Sequence, residues 1–312
     1  MSVMLEGRIH SGVGGTFAVV TQEGALACRA RGLFRKQGIT PLVGDRVRAE
    51  RIGEKEGYIL EILPRDNALV RPPLANLDQL FLLCSMVKPR PNLRLLDTLI
   101  AMAELSGIAP VVVFTKCDLA DGSEYAEIYK AFTCFTLGFD AGSMNAAPTG
   151  DLEGIRALFQ GKTSAFCGNT GVGKSTLLNR IAPELALPTG EISDKLGRGR
   201  HTTRHVELYP AAGGWVADTP GFSALDFVTP SPASRELPQG GARNALTKDN
   251  LALGFREFAP FIGKCKFQDC AHVKDGGCAV AAAAETNEIP GTRWESYCSI
   301  YDELKKRKDW EA

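Results

Sequence analysis

The chain has 312 residues, enough for two or three domains with their own cores, and its 36 basic and 36 acidic residues cancel. Its 44% hydrophobic and 23% charged residues are ordinary for globular protein. That balance removes any bulk electrostatic argument for nucleic-acid binding and leaves the question to local basic clusters.

The start, Met1-Ser2-Val3-Met4-Leu5-Glu6, has no charged-then-apolar leader pattern, and no apolar run reaches membrane-spanning length. A cytoplasmic chain with no membrane partner is expected. Of nine cysteines, Cys28, Cys84, Cys117, Cys134, Cys167 and Cys298 stand singly and read as buried or free thiols. The other three are clustered.

Residues 1–68 read as short strands between glycine turns: Arg8–His10, Thr16–Val20, Ala25–Cys28, Asp45–Ala49 and Tyr58–Leu63. That many short strands in so little chain suggests a small β-barrel. Its solvent face carries Arg29, Arg31, Arg35, Lys36, Arg46, Arg48 and Arg51 with acidic residues interspersed. The mixture suits either nucleic-acid contact or a plain solvated face.

From Leu77 the pattern becomes α/β. Leu80–Cys84 and Pro110–Phe114 are continuous apolar runs, as in strands buried on both faces, and Leu93–Leu105 between them has helical spacing. Alternation continues through helices over Glu124–Phe132, Leu152–Phe159 and Ser175–Ile181 and strands over Thr163–Cys167, Val206–Tyr209 and Trp215–Ala217. This predicts a doubly wound, mostly parallel sheet.

Directly after the second apolar run stands Thr115-Lys116-Cys117-Asp118. A carboxylate there accepts hydrogens from guanine N1 and its 2-amino group. Adenine lacks that amine and leaves a buried acceptor unpaired, at about 1–3 kcal/mol, so Asp118 selects GTP over ATP. The Lys116 stem lies along the base plane. Threonine at the first position keeps a hydroxyl where asparagine is usual but loses the amide. Asn145-Ala146 is a poor match to the element that usually backs the base.

Gly168-Asn169-Thr170-Gly171-Val172-Gly173-Lys174-Ser175, followed by Thr176, has the phosphate-loop pattern between a strand and a helix. Its glycines let successive amides face anionic oxygens. Lys174 reaches the β- and γ-phosphates, and the Ser175 hydroxyl ligates Mg²⁺. The guanine motif precedes this loop, the reverse of the usual order. Downstream, Gly197–Arg204 contains Thr202 and Thr203, either of which can complete the Mg²⁺ shell, with Thr203 favoured. Asp218-Thr219-Pro220-Gly221 ends a strand: Asp218 holds Mg²⁺ through water and the Gly221 amide contacts the γ-phosphate. Phe222 follows where a water-orienting glutamine is usual, so intrinsic hydrolysis is expected to be slow. His201 either orients that water or is a phosphate- or RNA-facing residue of the switch.

Pro230, Pro232, Pro238 and Gly240-Gly241 mark a loose linker. Beyond it, Cys265-x4-Cys270-x-His272-x5-Cys278 is a Cys3His set whose soft ligands suit tetrahedral, structural Zn²⁺. Lys264, Lys266 and Lys274 surround it, and two helical stretches follow.

Taken together, the permuted motifs, the small barrel, Gly199-Arg200-His201-Thr202-Thr203, Asp218–Phe222 and the Cys3His cluster resemble the circularly permuted GTPases of small-ribosomal-subunit biogenesis, over essentially the full chain. The resemblance implies an OB-fold barrel that binds RNA (1–68), a permuted GTPase domain (69–235) and a zinc-binding helical domain (236–312). It implies a monomer that docks on the 30S subunit and its 16S rRNA, binds GTP and GDP with Mg²⁺, and carries one Zn²⁺. Two rivals remain: an RNA-binding scaffold in which GTP is a structural ligand, and an ATP-using phosphate-loop enzyme, which Asp118 opposes. Because the zinc region follows Asp218–Phe222 along the chain, nucleotide state is expected to pass to it through the backbone.

Overall fold

The computed structural model describes residues 3–32, 34, 38–69, 73–139, 149–185, 187, 206–218, 246–273 and 276–306. Strands β1 (Val3–Val13), β2 (Thr16–Thr21), β3 (Gly24–Ala30), β4 (Arg46–Arg51) and β5 (Glu56–Ile62) form the N-terminal barrel. It closes because β1 pairs with both β2 and β4, while β5 bridges β4 and β3. Alternation points Ile9, Val19, Leu26, Cys28, Val47, Ala49 and Ile59 inward, all buried. The first strand is far longer than the expected Arg8–His10, since its first residues pair with β4 across the closure.

On the outer face Arg31 pairs with Glu50, Arg46 with Asp66, Arg51 with Glu23, and Arg48 with both Glu6 and Glu61. Such exposed pairs add little stability, but they neutralise most of the face that the sequence marks as basic. Arg29 is exposed and has no ion-pair partner among the described residues. Arg35 and Lys36 lie outside them.

A short hairpin, β6 (Ala68–Leu69) and β7 (Leu74–Ala75), leads into the α/β domain: β8 (Gln79–Ser85), α1 (Leu93–Leu105), β9 (Ala109–Thr115), α2 (Ser123–Ile128), β10 (Thr133–Thr136), α3 (Leu152–Ala157), β11 (Thr163–Cys167), α4 (Lys174–Ile181), β12 (Glu207–Ala211) and β13 (Gly214–Asp218). The strand order is β10-β9-β8-β11-β13-β12, parallel except for β12. Side chains alternate between two cores. Leu80, Leu82, Val112 and Phe114 face α1 and the barrel-side cluster, and Phe81, Leu83, Val111 and Val113 face α3 and α4.

The helix Leu93–Leu105 has the predicted limits. Asn92 Oδ1 accepts from the Leu95 amide at its start, and Gly107, at φ +68°, follows its end. The second helix stops at Ile128 rather than Phe132, because residues 129–132 close into a turn with the Phe132 amide on the Tyr129 carbonyl. Strand β10 has no clear sequence period, being four residues none of which is fully buried.

Beyond residue 245, single turns at Leu251–Gly254 and Arg256–Phe258 precede α5 (Ala279–Glu285) and α6 (Gly291–Lys306). Their core of Leu251, Phe255, Phe258, Val280, Ile289, Tyr297 and Ile300 also takes in Ala101 of α1. That shared contact explains why α1 is buried on nearly all sides.

Candidate nucleotide site and metal centre

The parallel strands are added to opposite sides of the β8–β11 boundary, so the loops at their carboxyl ends diverge there and leave a crevice. The phosphate loop follows β11 and the guanine motif follows β9, so both reach the same edge of the sheet despite their order in the chain. A cavity of about 40 Å³ lies at this boundary, lined among others by Ser85, Asn92, Gly168, Asn169 and Val172.

Gly168, Gly171 and Gly173 have φ of +153°, +81° and +98°. At Gly168 space is decisive as well, because a Cβ would stand 2.6 Å from the Leu83 carbonyl oxygen. Gly173 caps α4, which puts Lys174, Ser175 and Thr176 in the first turn, where free amides and the helix dipole favour an anion. The Lys174 ammonium donates to the carbonyls of Gly168 and Asn169, the latter at 3.1 Å, so a cation already sits within the loop. Burial lowers its pKa. The Cys167 thiol beneath the loop is pushed up to about 12 by burial and stays neutral.

Thr115 supplies a contact the sequence left open. Its side chain is buried and its hydroxyl donates to the Val172 carbonyl at 2.6 Å, tying the guanine strand to the phosphate loop. The loss of the asparagine amide therefore does not separate the two motifs. Lys116 adopts φ +59° and its ammonium donates to the Lys88 carbonyl at 2.8 Å.

Asp118 Oδ1 accepts from the Phe139 amide at 3.1 Å, and a Cβ on Gly138 would come within 2.7 Å of the Asp118 amide nitrogen. The stretch after β10 thus backs Asp118, and Gly138-Phe139 is the element that the sequence reading missed. Its signal is a glycine two residues past the strand end, directly after the buried Leu137. Asn145-Ala146 lies outside the described residues. The Cys117 amide donates to the Leu137 carbonyl at 2.9 Å, fixing the same approach.

Asp218 ends β13, two strands from β8 and opposite Glu207 of β12. His201, Thr202, Thr203 and Gly221 lie outside the described residues, as do Phe222 and the linker after Phe227.

Cys265, Cys270, His272 and Cys278 converge, with their ligand atoms all within 4.8 Å of one another. Cys265 Sγ is 3.4 Å from His272 Nδ1 and 4.0 Å from Cys278 Sγ, and Cys278 Sγ is 3.7 Å from His272 Nδ1. A tetrahedral ion with bonds of about 2.0–2.3 Å requires ligand separations of about 3.5–3.8 Å, so the set fits a metal ion. Amides of Ala279 and Ala281 donate to Cys265 Sγ and Cys278 Sγ. Trp294 Nε1 and the Tyr297 hydroxyl donate to the carbonyls of His272 and Ala271, which locks the ligand loop onto α6. Lys264 and Lys266 are exposed beside it, and Lys274 lies outside the described residues.

The same region is fastened to the α/β domain through Arg293, which is fully buried. It donates to Asp97 Oδ1 at 2.6 Å and to both oxygens of Glu257, and Tyr129 also donates to Asp97 Oδ1 at 2.6 Å. Burial works against its charge, but Asp97 and Glu257 outweigh it and hold the guanidinium above its ordinary pKa.

Comparison with known proteins agrees with this geometry. Residues 62–228 match the RsgA GTPase family and residues 6–59 match the RsgA N-terminal domain. The small ribosomal subunit biogenesis GTPase RsgA of Geobacillus kaustophilus (strain HTA426) is 43% identical over 306 residues, covering 98% of this chain and 99% of the relative. The protein of the same name from Geobacillus thermodenitrificans (strain NG80-2) is 42% identical over 311 residues, covering 98% and 99%. Among solved structures, the circularly permuted GTPase YloQ matches with a TM-score of 0.75 at 34% identity, over 98% of this chain and 96% of that one. YjeQ from Thermotoga maritima matches with a TM-score of 0.77 at 29% identity, over 98% and 100%.

Proposed function

This chain belongs to the RsgA family of circularly permuted GTPases, and from that premise we propose that it acts in late maturation of the 30S ribosomal subunit. It binds the subunit and its 16S rRNA in the GTP state, and hydrolysis to GDP and phosphate times its release. The observation that carries this reading is the Thr115 hydroxyl on the Val172 carbonyl at 2.6 Å. That bond ties the two permuted motifs together, which supports reading them as one nucleotide site.

In this reading Asp118 accepts from guanine N1 and its 2-amino group, the Lys116 stem covers the base, and Thr115 and Cys117 fix the strand end. Gly168, Asn169, Thr170, Gly171, Val172, Gly173 and Thr176 surround the phosphates with backbone and hydroxyl donors. Lys174 neutralises the β- and γ-phosphate oxygens as charge moves toward the leaving group. Ser175 and Thr203 would hold Mg²⁺, with Asp218 reaching it through water. When bound, that ion offsets charge on the same oxygens. The Gly221 amide meets the γ-phosphate and His201 orients the attacking water, a role Phe222 cannot fill.

Cys265, Cys270, His272 and Cys278 would hold one Zn²⁺ with no open position, a structural site. The domain limits are 1–68, 69–235 and 236–312, and the protein is a cytoplasmic monomer. No described helix is long and apolar enough to cross a membrane. Multiple-turnover GTP hydrolysis with and without added 30S subunits tests the proposal. Strong stimulation is expected, and an unchanged rate would leave the scaffold reading instead.

A further inference from the structure

Strand β1 is longer than barrel closure requires. Its register with β2 runs Ile9 to Val19 and then Ser11 to Ala18, so His10 is the extra residue of a β-bulge. Pairing with β4 ends at Arg8 while pairing with β2 resumes from Ser11 to Val13, so beyond the bulge the other edge of β1 is free to meet β12, where Ser11 pairs with Glu207. Glu207 in turn pairs with Asp218. Ser11, Glu207 and Asp218 therefore form one row across three strands, from the barrel to the strand end that carries Asp218.

Side chains reinforce this row. The His10 ring, 8% exposed, meets Trp215 of β13 edge-on, with centroids 4.0 Å apart and planes at 71°. Arg8 anchors the same stretch through the carbonyls of Gly44 and Asn76. The opposite end of the β12–β13 hairpin is held by the α/β core. Ala212 and Gly213 both have positive φ, the Gly161 amide donates to the Gly213 carbonyl at 2.9 Å, and the Trp215 amide donates to the Lys162 carbonyl at 2.8 Å. The core thus fixes the turn and β13 as far as Val216, which pairs with Ser164 of β11, and the barrel joins beyond that, at the open end, through the Ser11–Glu207 pair.

We propose that His10 and Trp215 are positioning residues for GTP: through them the barrel holds the hairpin in the register that sets the Asp218 end of β13. The barrel then contributes to recognising the γ-phosphate without touching the nucleotide. This rests on the reading of Asp218 as part of the γ-phosphate end of the site. GDP binding should be spared, because the phosphate loop follows β11 and the guanine motif follows β9, neither of which belongs to the hairpin.

The test is the ratio of affinities for a non-hydrolysable GTP analogue and for GDP, measured by titration calorimetry on the full chain. An edge-on aromatic contact accounts for about a two- to tenfold change in such a constant. His10→Ala should weaken the analogue by about that factor relative to GDP, and His10→Phe, which keeps a ring edge, should restore the ratio. Equal weakening of both nucleotides, or equal loss in both variants, overturns the proposal. If His10→Ala does not fold, Trp215→Leu, which removes the ring from the other side, is read in the same way. Asp218→Ala separates the two levels. A ratio moved by Asp218→Ala but not by His10→Ala sinks the positioning role alone. A ratio unmoved by Asp218→Ala sinks the γ-phosphate reading and this proposal with it.

Discussion

The barrel and the C-terminal region both grip the α/β domain, one with a continuous main-chain ladder and a close backbone approach, the other through side chains. On the barrel side, β1 continues the sheet into β12, and Gly44, at φ +90°, lies so close to β7 that a Cβ would stand 2.0 Å from the Ala75 carbonyl oxygen. Asn67 both donates to and accepts from the Leu77 backbone there. On the C-terminal side, α1 presents Arg94, Asp97, Ala101 and Glu104 at helical spacing. They meet Glu303 and Ser299, Arg293, Gly254 and Arg256 respectively. The two attachments also cross the chain order. The barrel, which precedes the base-reading half in sequence, holds the hairpin ending in Asp218. The C-terminal region, which follows that hairpin in sequence, sits on the helix leading to the guanine strand. Coupling between domains therefore has packed routes that sequence adjacency does not indicate.

Three perturbations sharpen the contrast. The largest effect is expected from metal removal. Structural zinc sites of this ligand set are worth on the order of 10 kcal/mol of folding free energy. A zinc-selective chelator should unfold the C-terminal region, read as lost helical circular dichroism, while the calorimetric affinity for GDP persists. Loss of GDP binding in parallel would mean that the side-chain attachment is as stiff as the main-chain one. Next comes Arg293→Met, which strands Asp97 and Glu257 and should cost about 3–5 kcal/mol in denaturant unfolding of the C-terminal region. Gly44→Ala should cost about 2 kcal/mol or more on the barrel side, because both the left-handed backbone and the carbonyl contact oppose a Cβ. Its midpoint shift should appear together in the barrel and the α/β domain, since the joint is shared.

Much of the nucleotide site was legible because its chemistry is local in sequence. Gly168–Ser175 and Thr115–Asp118 each form a motif within a few residues, and the Cys3His set gathers its ligands within one short loop. What was not legible depends on partners far apart in the chain. Arg293 reads as an ordinary helical arginine until Asp97 and Glu257 stand beside it. The pairing of the basic barrel face was hidden because Arg48 meets Glu6 and Glu61 of neighbouring strands, and Arg46 and Arg51 meet Asp66 and Glu23 of the connecting segments, all distant in sequence. Thr115 looked like a weakened motif, yet its hydroxyl makes the bond that joins the motifs. The long first strand was hidden because Val3–Glu6 is a strand only through pairing with β4, which no local period encodes.

The smallest expected effect is a pH dependence confined to the barrel joint. Burial, aided by the nearby Arg8 charge and opposed by Glu207, lowers the His10 pKa from 6.5 to about 4. The fold therefore favours the neutral ring. As pH falls below 6.5 the unfolded chain takes up a proton that the folded chain refuses, so stability declines until about pH 4 and then levels off. The full interval corresponds to about 3 kcal/mol, and partial contact of the ring with solvent reduces this to about 2 kcal/mol. His10→Phe removes the titration and keeps the ring contact. Other groups, the Cys3His ligands included, titrate alike in both proteins and cancel from the difference. Urea unfolding of the two at pH 7 and pH 4.5 should then show wild type losing about 2 kcal/mol relative to His10→Phe. Parallel losses would mean that the imidazole takes its proton in place, and that the main-chain joint is open enough at His10 for water to reach the ring.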